Sequence, residues 1–271
     1  LADFDRERTF YKKEVYKLLL MLYNIINSYE RQYRMEKPKY KRILVKLSGE
    51  AMRGKDGSIL DFLLLEKIAD ALILCTDAGI EVAVMVGAGN IWRGAKQSAQ
   101  MDRCRADHMG LLATVINSIA LKDVIIRRGG RADVMSAVDM PEFAERYVPE
   151  TADKRLREGR IVILGCGTGN PYFSTDTGAV LRAAQLNADI VLMAKNIDGI
   201  YDRDPRVHPD AKKYDQVTYD EILSKKLAAY DLTATAFCAA NGIKTRAFCL
   251  SDPADIYRAA LGENVGTLTS V

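Results

Sequence analysis

Arg160-Ile-Val-Ile-Leu-Gly-Cys-Gly-Thr-Gly-Asn-Pro-Tyr-Phe-Ser-Thr-Asp-Thr177 is an apolar run that opens into glycines, hydroxyls and a carboxylate. The run Arg160–Leu164 reads as a buried strand, and Gly178-Ala-Val-Leu-Arg-Ala-Ala-Gln-Leu186, which follows, reads as a helix. A loop in that position sets backbone N–H groups, Thr168, Thr175 and Asp176 at the carboxyl edge of a sheet, where a helix N-terminus favours anions. The competing reading is a turn that merely joins strand to helix. Two further strand ends weigh against it. Ile80–Val86 runs into Gly87-Ala-Gly-Asn-Ile-Trp-Arg-Gly94, and Arg42–Leu47 runs into Ser48-Gly49-Glu50. Three strand ends therefore carry groups suited to phosphates.

Gly49-Glu-Ala-Met-Arg-Gly54-Lys55-Asp56 comes close to the phosphate loop of common ATPases. It holds Asp56 where a Mg²⁺-binding hydroxyl is needed, and a carboxylate there would face the phosphates. Residues 54–57 are instead expected to form a surface turn before a helix starting near Asp61. The lysine that matters is Lys46, inside the first strand. It must point to one face of a sheet, and ammonium groups are almost never fully buried without a partner. A solvent-reaching edge lysine is the alternative; the adjacent Ser48-Gly49 turn favours a phosphate partner.

From Tyr40 onward strands and helices alternate. Helices are expected over 61–77, 101–128, 151–158, 178–187, 219–226, 233–241 and 253–261, and strands near 42–47, 80–86, 131–137, 160–165, 189–194, 245–249 and 265–269. The pattern predicts an α/β fold, a mostly parallel sheet with helices on both faces, in one domain over 37–271. The polar excursion Asp198–Asp210 reads as a hairpin with Asp-Gly at its turn.

Lys46-Leu-Ser-Gly-Glu50, Gly87–Gly94, Ala106-Asp-His-Met-Gly-Leu-Leu-Ala-Thr114, Gly167–Asp176, Asp198-Gly-Ile-Tyr201 and Tyr230-Asp-Leu-Thr-Ala234 occur in the order seen in bacterial-type UMP kinases. From about Lys37 to the C-terminus the chain resembles that group of the amino-acid-kinase family. The resemblance implies a three-layer sandwich and ATP-dependent phosphorylation of UMP to UDP with Mg²⁺. It also implies a cytoplasmic homohexamer responding to GTP and UTP.

Phosphoryl transfer needs cations around the migrating group and an in-line acceptor. A nucleotide phosphate has a second pKa near ~6, so its oxygen is already ionised and no general base is required. Lys46, with the Gly49 backbone, is expected to bridge the two substrates' phosphates. Arg93 would clamp the acceptor phosphate through its planar fork, and Gly87, Gly89 and Gly94 would let backbone approach it. By resemblance, Asp107 takes a ribose hydroxyl, Thr168, Asn170 and Thr175 line the UMP pocket, and Asp176 and Asp231 form an acidic pair that positions lysine or Mg²⁺. Lys46, Ser48, Gly49, Lys195, Asn196, Tyr201 and Asp204 fall on the ATP side; no direct metal ligand is assigned. Relatives carry a second lysine just before Asp-Gly, and Lys195 is the residue nearest that place. Asp107 and Asp231 also read as helix N-caps, and Arg93 as a surface arginine. His108 and His208 read as structural or solvated.

Two other functions compete: phosphorylation of a different small molecule by the same fold, and a non-catalytic nucleotide sensor. Trp92-Arg93 and Asp107-His108-Met109 separate the first from a UMP kinase. Retention of Lys46, Asp176 and Asp231 speaks against the second.

The formal charge of +3 resides in the first forty residues, which hold nine Lys/Arg against six Asp/Glu, so no basic field for nucleic acid emerges elsewhere. Five cysteines without a C-x-x-C pair, and two histidines, make a zinc site improbable and fit reduced thiols. Residues 1–36 are a separate segment. Phe10, Val15, Leu18, Leu22, Ile25, Ile26 and Tyr29 recur at helical spacing, so an amphipathic extension is expected. The run Leu18–Ile26 is too short to cross a membrane. A packing helix, a membrane-surface helix, and sequence upstream of a natural start at Met35 all remain as readings.

Overall fold

The computed structural model describes residues 38–92 and 101–271. The foreseen extension over 1–36, together with Arg93 and Gly94, lies outside them. In chain order the elements are β1 (Arg42–Leu47), α1 (Phe62–Asp77), β2 (Glu81–Val86), α2 (Arg103–Arg127), β3 (Ala132–Ser136) and β4 (Glu145–Arg146). Then come α3 (Pro149–Arg157), β5 (Ile161–Gly165), α4 (Thr175–Gln185), β6 (Ile190–Lys195), and the short strands β7 (Ile200–Tyr201), β8 (Lys213–Tyr214) and β9 (Gln216–Thr218). The chain closes with α5 (Tyr219–Ser224), α6 (Leu232–Asn241), β10 (Thr245–Cys249), α7 (Ala254–Leu261) and β11 (Thr267–Ser270).

Nine strands form one sheet in the order β4-β3-β5-β2-β1-β6-β10-β11-β9, parallel at every pairing except β10 with β11. Its central strands are almost wholly apolar, as burial on both faces demands. Strand periodicity then divides the core. Ile43, Val45 and Leu47 of β1 join the cluster under α1 and α7, while Leu44 joins the one under α3, α4, α5 and α6. Lys46 alternates with Val45 and Leu47, so it shares Leu44's face and points toward α4.

The chain passes from β1 to β2 on one side and later returns to β6 on the other, which makes the carboxyl end of β1 a topological switch point, the usual ligand crevice of such sheets. Register aligns the three strands there: Leu47 lies opposite Val86 and Ala194. Ser48, Gly87 and Lys195 consequently emerge side by side.

Most expected elements form within a few residues of their predicted ends, with three corrections. Helix α4 begins at Thr175, three residues early, because the Ser174 hydroxyl accepts from the N–H groups of Asp176 and Thr177 and caps it. Thr175 and Asp176 thus belong to its first turn. A hairpin does form after β6, but Asp198-Gly199 precedes β7 instead of making the turn. A Cβ at Gly199 would lie 2.6 Å from Thr267 Oγ1, so close packing is what glycine serves there. Finally β4, β7, β8 and β9, of two or three residues each, carry too little periodicity to be read.

The Gly54–Gly57 segment is the surface turn expected, closed by the Gly57 N–H to the Gly54 carbonyl. Asp61 caps α1. Helix α2 is long and apolar enough to cross a membrane by composition, yet half of its most apolar window is buried, and it packs on β3 and β5 as a core helix does.

Candidate active site

The site starts from Lys46. Its side chain, 10 % exposed, ends 2.7 Å from Asp176 Oδ1, and Lys195 at the end of β6 reaches the other oxygen of the same carboxylate at 3.2 Å. Asp176 sits in the first turn of α4, where the helix dipole favours negative charge. Burial opposes its ionisation, but Lys46 and Lys195 overcome that, holding the carboxyl well below the usual range. For Lys195 burial is the larger influence and lowers its pKa, with the like charge of Lys46 acting in the same sense. Lys195 also donates to the Ala229 carbonyl at 2.5 Å and lies 4.8 Å from the centre of the Tyr230 ring, a cation–π contact. One carboxylate between two ammonium groups leaves a positive surplus. Such a surplus suits a polyanion.

Asp231 supports this centre from behind. Its Oδ1 accepts from the Ala234 N–H at 2.8 Å, so it does cap α6, and its oxygens also accept from the Thr177 hydroxyl at 3.1 Å and from Ser174. The N-termini of α4 and α6 are therefore tied together through one carboxylate. The cap and the site role are not alternatives here.

Two clefts meet at Lys46, Ser48 and Glu50. The first, about 480 Å³, opens toward the hairpin and is lined also by Lys195, Asn196, Tyr201, Asp204 and Arg206. The second, about 450 Å³, opens toward the glycine loop and α2, with Gly49, Gly87, Gly89, Asp107, Asn170 and Thr175 in its wall. We call them the hairpin cleft and the glycine cleft. A Cβ on Gly49 would fall 2.6 Å from the Gly87 carbonyl oxygen, so the loops after β1 and β2 touch backbone to backbone. Asn117 of α2 fixes the second loop by donating to that Gly87 carbonyl at 2.8 Å and pairing with buried Asn90. Trp92 Nε1 donates to the Ala106 carbonyl, joining the loop to the same helix.

Asp107 lies within α2, whose cap is Asp102, so the capping role for Asp107 is excluded. Thr168 is the one described acceptor-side residue that lines neither cleft. Its hydroxyl accepts from the Asn170 N–H at 3.2 Å and shapes the loop instead. Arg93 lies outside the described residues. Both histidines are exposed, as expected. Sequence reading missed Ser174, Thr177, Tyr230, the Ala229 carbonyl, Asn117 and Glu50. Only Ser174 carried a signal, as a serine ahead of Thr-Asp-Thr and a helix; the others depend on contacts between distant segments.

Among the described residues no group of three or more metal-ligating side chains converges. The carboxylates at and beside the junction are Glu50, which lines both clefts, Asp176, engaged by two lysines, and Asp231, engaged by hydroxyls. They suit a Mg²⁺ ion carried mainly by nucleotide phosphates, the usual manner of Mg²⁺ in phosphoryl-transfer sites.

The sequence model of the amino acid kinase family matches residues 41–248. Among solved structures, the UMP kinase of Bacillus anthracis superposes with a TM-score of 0.82 at 35% identity, over 85% of this chain and 96% of its own. The UMP kinase of Ureaplasma parvum gives 0.81 at 33% identity, over 86% and 100%. The uridylate kinase of Archaeoglobus fulgidus gives 0.66 at 26% identity, over 84% and 99%. With this fold, two clefts meeting at a buried lysine and these relatives, the chain belongs to the amino acid kinase family, among its UMP kinases.

Proposed function

We propose that the protein transfers the γ-phosphoryl group of ATP to UMP, giving ADP and UDP, with Mg²⁺ entering on ATP. The observation that carries this reading is the junction: two clefts of nucleotide-compatible size share, among the described residues, a lysine, a serine and a glutamate. ATP occupies the hairpin cleft, against Lys195, Asn196, Tyr201 and Asp204, and UMP the glycine cleft, against Gly87, Gly89, Asn170 and Thr175. Asp107 accepts from the ribose and Arg93 holds the UMP phosphate. The reacting phosphates then meet over Lys46 and the Ser48–Gly49 backbone.

A UMP phosphate oxygen attacks the γ-phosphorus in line as the bond to the bridging oxygen of ADP breaks, and no proton has to move. Lys46 and Lys195 stabilise the charge spread over the migrating group. Asp176 orients both ammonium groups, and Asp231 ties the N-terminus of α6 to that of α4, which carries Asp176. Mg²⁺ would neutralise phosphate charge on the side of Asp176 and Asp231. The test is ADP release with UMP, CMP, AMP, GMP and amino acids as acceptors. UMP should be the preferred acceptor; turnover of an amino acid without UMP-dependent release would overturn the reading.

The working form is a cytoplasmic homohexamer in pyrimidine nucleotide synthesis, responsive to GTP and inhibited by UTP. Support for assembly comes from α2, where Met109, Leu112, Ile116, Ile119 and Ile126 make an exposed apolar stripe at spacings of three, four and seven, the face a second copy would cover. Light scattering should give six chains, and a monomeric mass would remove this part alone.

A further inference from the structure

Arg103 stands one helical turn before Asp107 on α2, so the two side chains share a face. Its Nε donates to Asp107 Oδ2 at 2.8 Å. The Tyr172 N–H, from the loop between β5 and α4, donates to the same oxygen at 2.8 Å. The Arg103 guanidinium also lies 5.1 Å from the centre of the Tyr172 ring. All three residues line the glycine cleft. Arg103 thus touches both partners of a clasp that joins α2 to the loop of Asn170 and Phe173.

The clasp holds Tyr172 in a place it would not adopt unaided. Its φ of +68° lies in the left-handed region, uncommon for an aromatic side chain. The bond from its N–H to Asp107 and the guanidinium over its ring both favour that backbone. On Asp107 the effect is one of aim. Among the described residues both bonds to this carboxylate fall on Oδ2, which leaves Oδ1 to accept from a ligand hydroxyl. A charged donor fixes a carboxylate more firmly than a neutral one.

We infer that Arg103 is a positioning residue for acceptor recognition: by fixing Asp107 and Tyr172 together, it aims the carboxylate at the ribose and sets the wall against which the base rests. The inference rests on the assignment of UMP to the glycine cleft. It predicts an effect on one substrate only, because Arg103 lines the glycine cleft and is absent from the hairpin cleft.

The test measures KM and kcat for UMP, 2′-deoxy-UMP, 3′-deoxy-UMP and ATP in the full chain and in Arg103→Leu, with thermal melting as a fold control. Loss of one charge-assisted bond should raise KM for UMP about tenfold, leaving KM for ATP and kcat within about twofold. The increase should vanish for the deoxynucleotide lacking the hydroxyl that Asp107 accepts. Arg103→Lys, which keeps the charge but not the fork, should recover part of the loss, and it also supplies the reading should the leucine variant not fold. An unchanged KM for UMP in a folded variant overturns the inference, as does an equal loss for every acceptor and for ATP. If the unaltered protein releases no ADP with UMP, the functional reading falls with it; normal UMP turnover beside an unresponsive Arg103 variant removes the inference alone.

Discussion

The two clefts that meet at Lys46 are built from different material. The glycine cleft is walled by loops that leave adjacent central strands, pressed together until only glycine fits at position 49, and braced by buried Asn90 and Asn117. The hairpin cleft is walled by an excursion of two short strands bearing charged residues, several of them in surface ion pairs within the excursion, such as Arg206 with Asp204 and Lys213 with Asp198. Surface pairs of that kind contribute little, typically ~0–1 kcal/mol. One wall is fixed by core packing; the other is anchored at its base, where the Ile200 N–H donates to Thr267 Oγ1, and held by local contacts beyond it. Substitutions in the first should be costly and selective, and those in the second mild.

The shared wall gives the largest expected effect. Lys46→Ala removes a preorganised cation from the junction, a loss typically of ~3–4 kcal/mol in the transition state, so kcat should fall about 10²–10³-fold while both KM values change little. Lys46→Arg should not restore the rate, since a forked guanidinium does not fit a gap shaped for an ammonium. The fold should survive, because Asp176 keeps Lys195 as a partner. A large rise in one KM with kcat intact would place Lys46 in one cleft instead of between them.

Gly49→Ala probes the rigid wall. Its Cβ would meet the Gly87 carbonyl oxygen and the Gly89 nitrogen, each at 2.6 Å, and backbone on both sides has little room to yield. Overpacking of this sort costs about 1–3 kcal/mol, read as a lower midpoint in denaturant. KM for UMP should rise more than KM for ATP. Equal rises would show that the two walls move as one.

A smaller effect concerns pH. Asp176 has a folded pKa below its ordinary value, so its contribution to stability is fully present above ~4, its unfolded range, and is lost as pH falls through the folded pKa. Lys195 is shifted downward by burial, so it loses its proton at lower pH than a free lysine would. Asp176 stays ionised at neutral pH, so the acid limb of kcat/KM for UMP should instead follow the acceptor phosphate near ~6. An acceptor with a more acidic phosphate should move that limb down. A limb indifferent to the acceptor would assign it to the protein.

The comparison also explains what was legible in the sequence. Strands β1, β2, β5 and β6 are continuous apolar runs ending in glycine or polar loops, so their order and the placing of Lys46 could be read from period and punctuation. Asp176 was found, but its helix was read too short because Ser174 and Thr175 look like loop residues until a cap is recognised. The hairpin was misplaced because Gly199 was taken for a turn residue, whereas its smallness serves a contact with Thr267, far along the chain. The dual use of Asp231 could not be read either. A cap needs only the next three residues, while its bonds to Ser174 and Thr177 need a second helix brought beside it.

The most direct measurement uses a single molecule that joins adenosine to uridine through a chain of phosphates and would fill both clefts across Lys46. If the clefts are the ATP and UMP sites and meet where the structure places Lys46, this compound should inhibit competitively against ATP and also against UMP, and each nucleotide alone should displace it at equilibrium. Competition with only one of the two substrates, the other binding undisturbed, would contradict the shared junction on which the account stands.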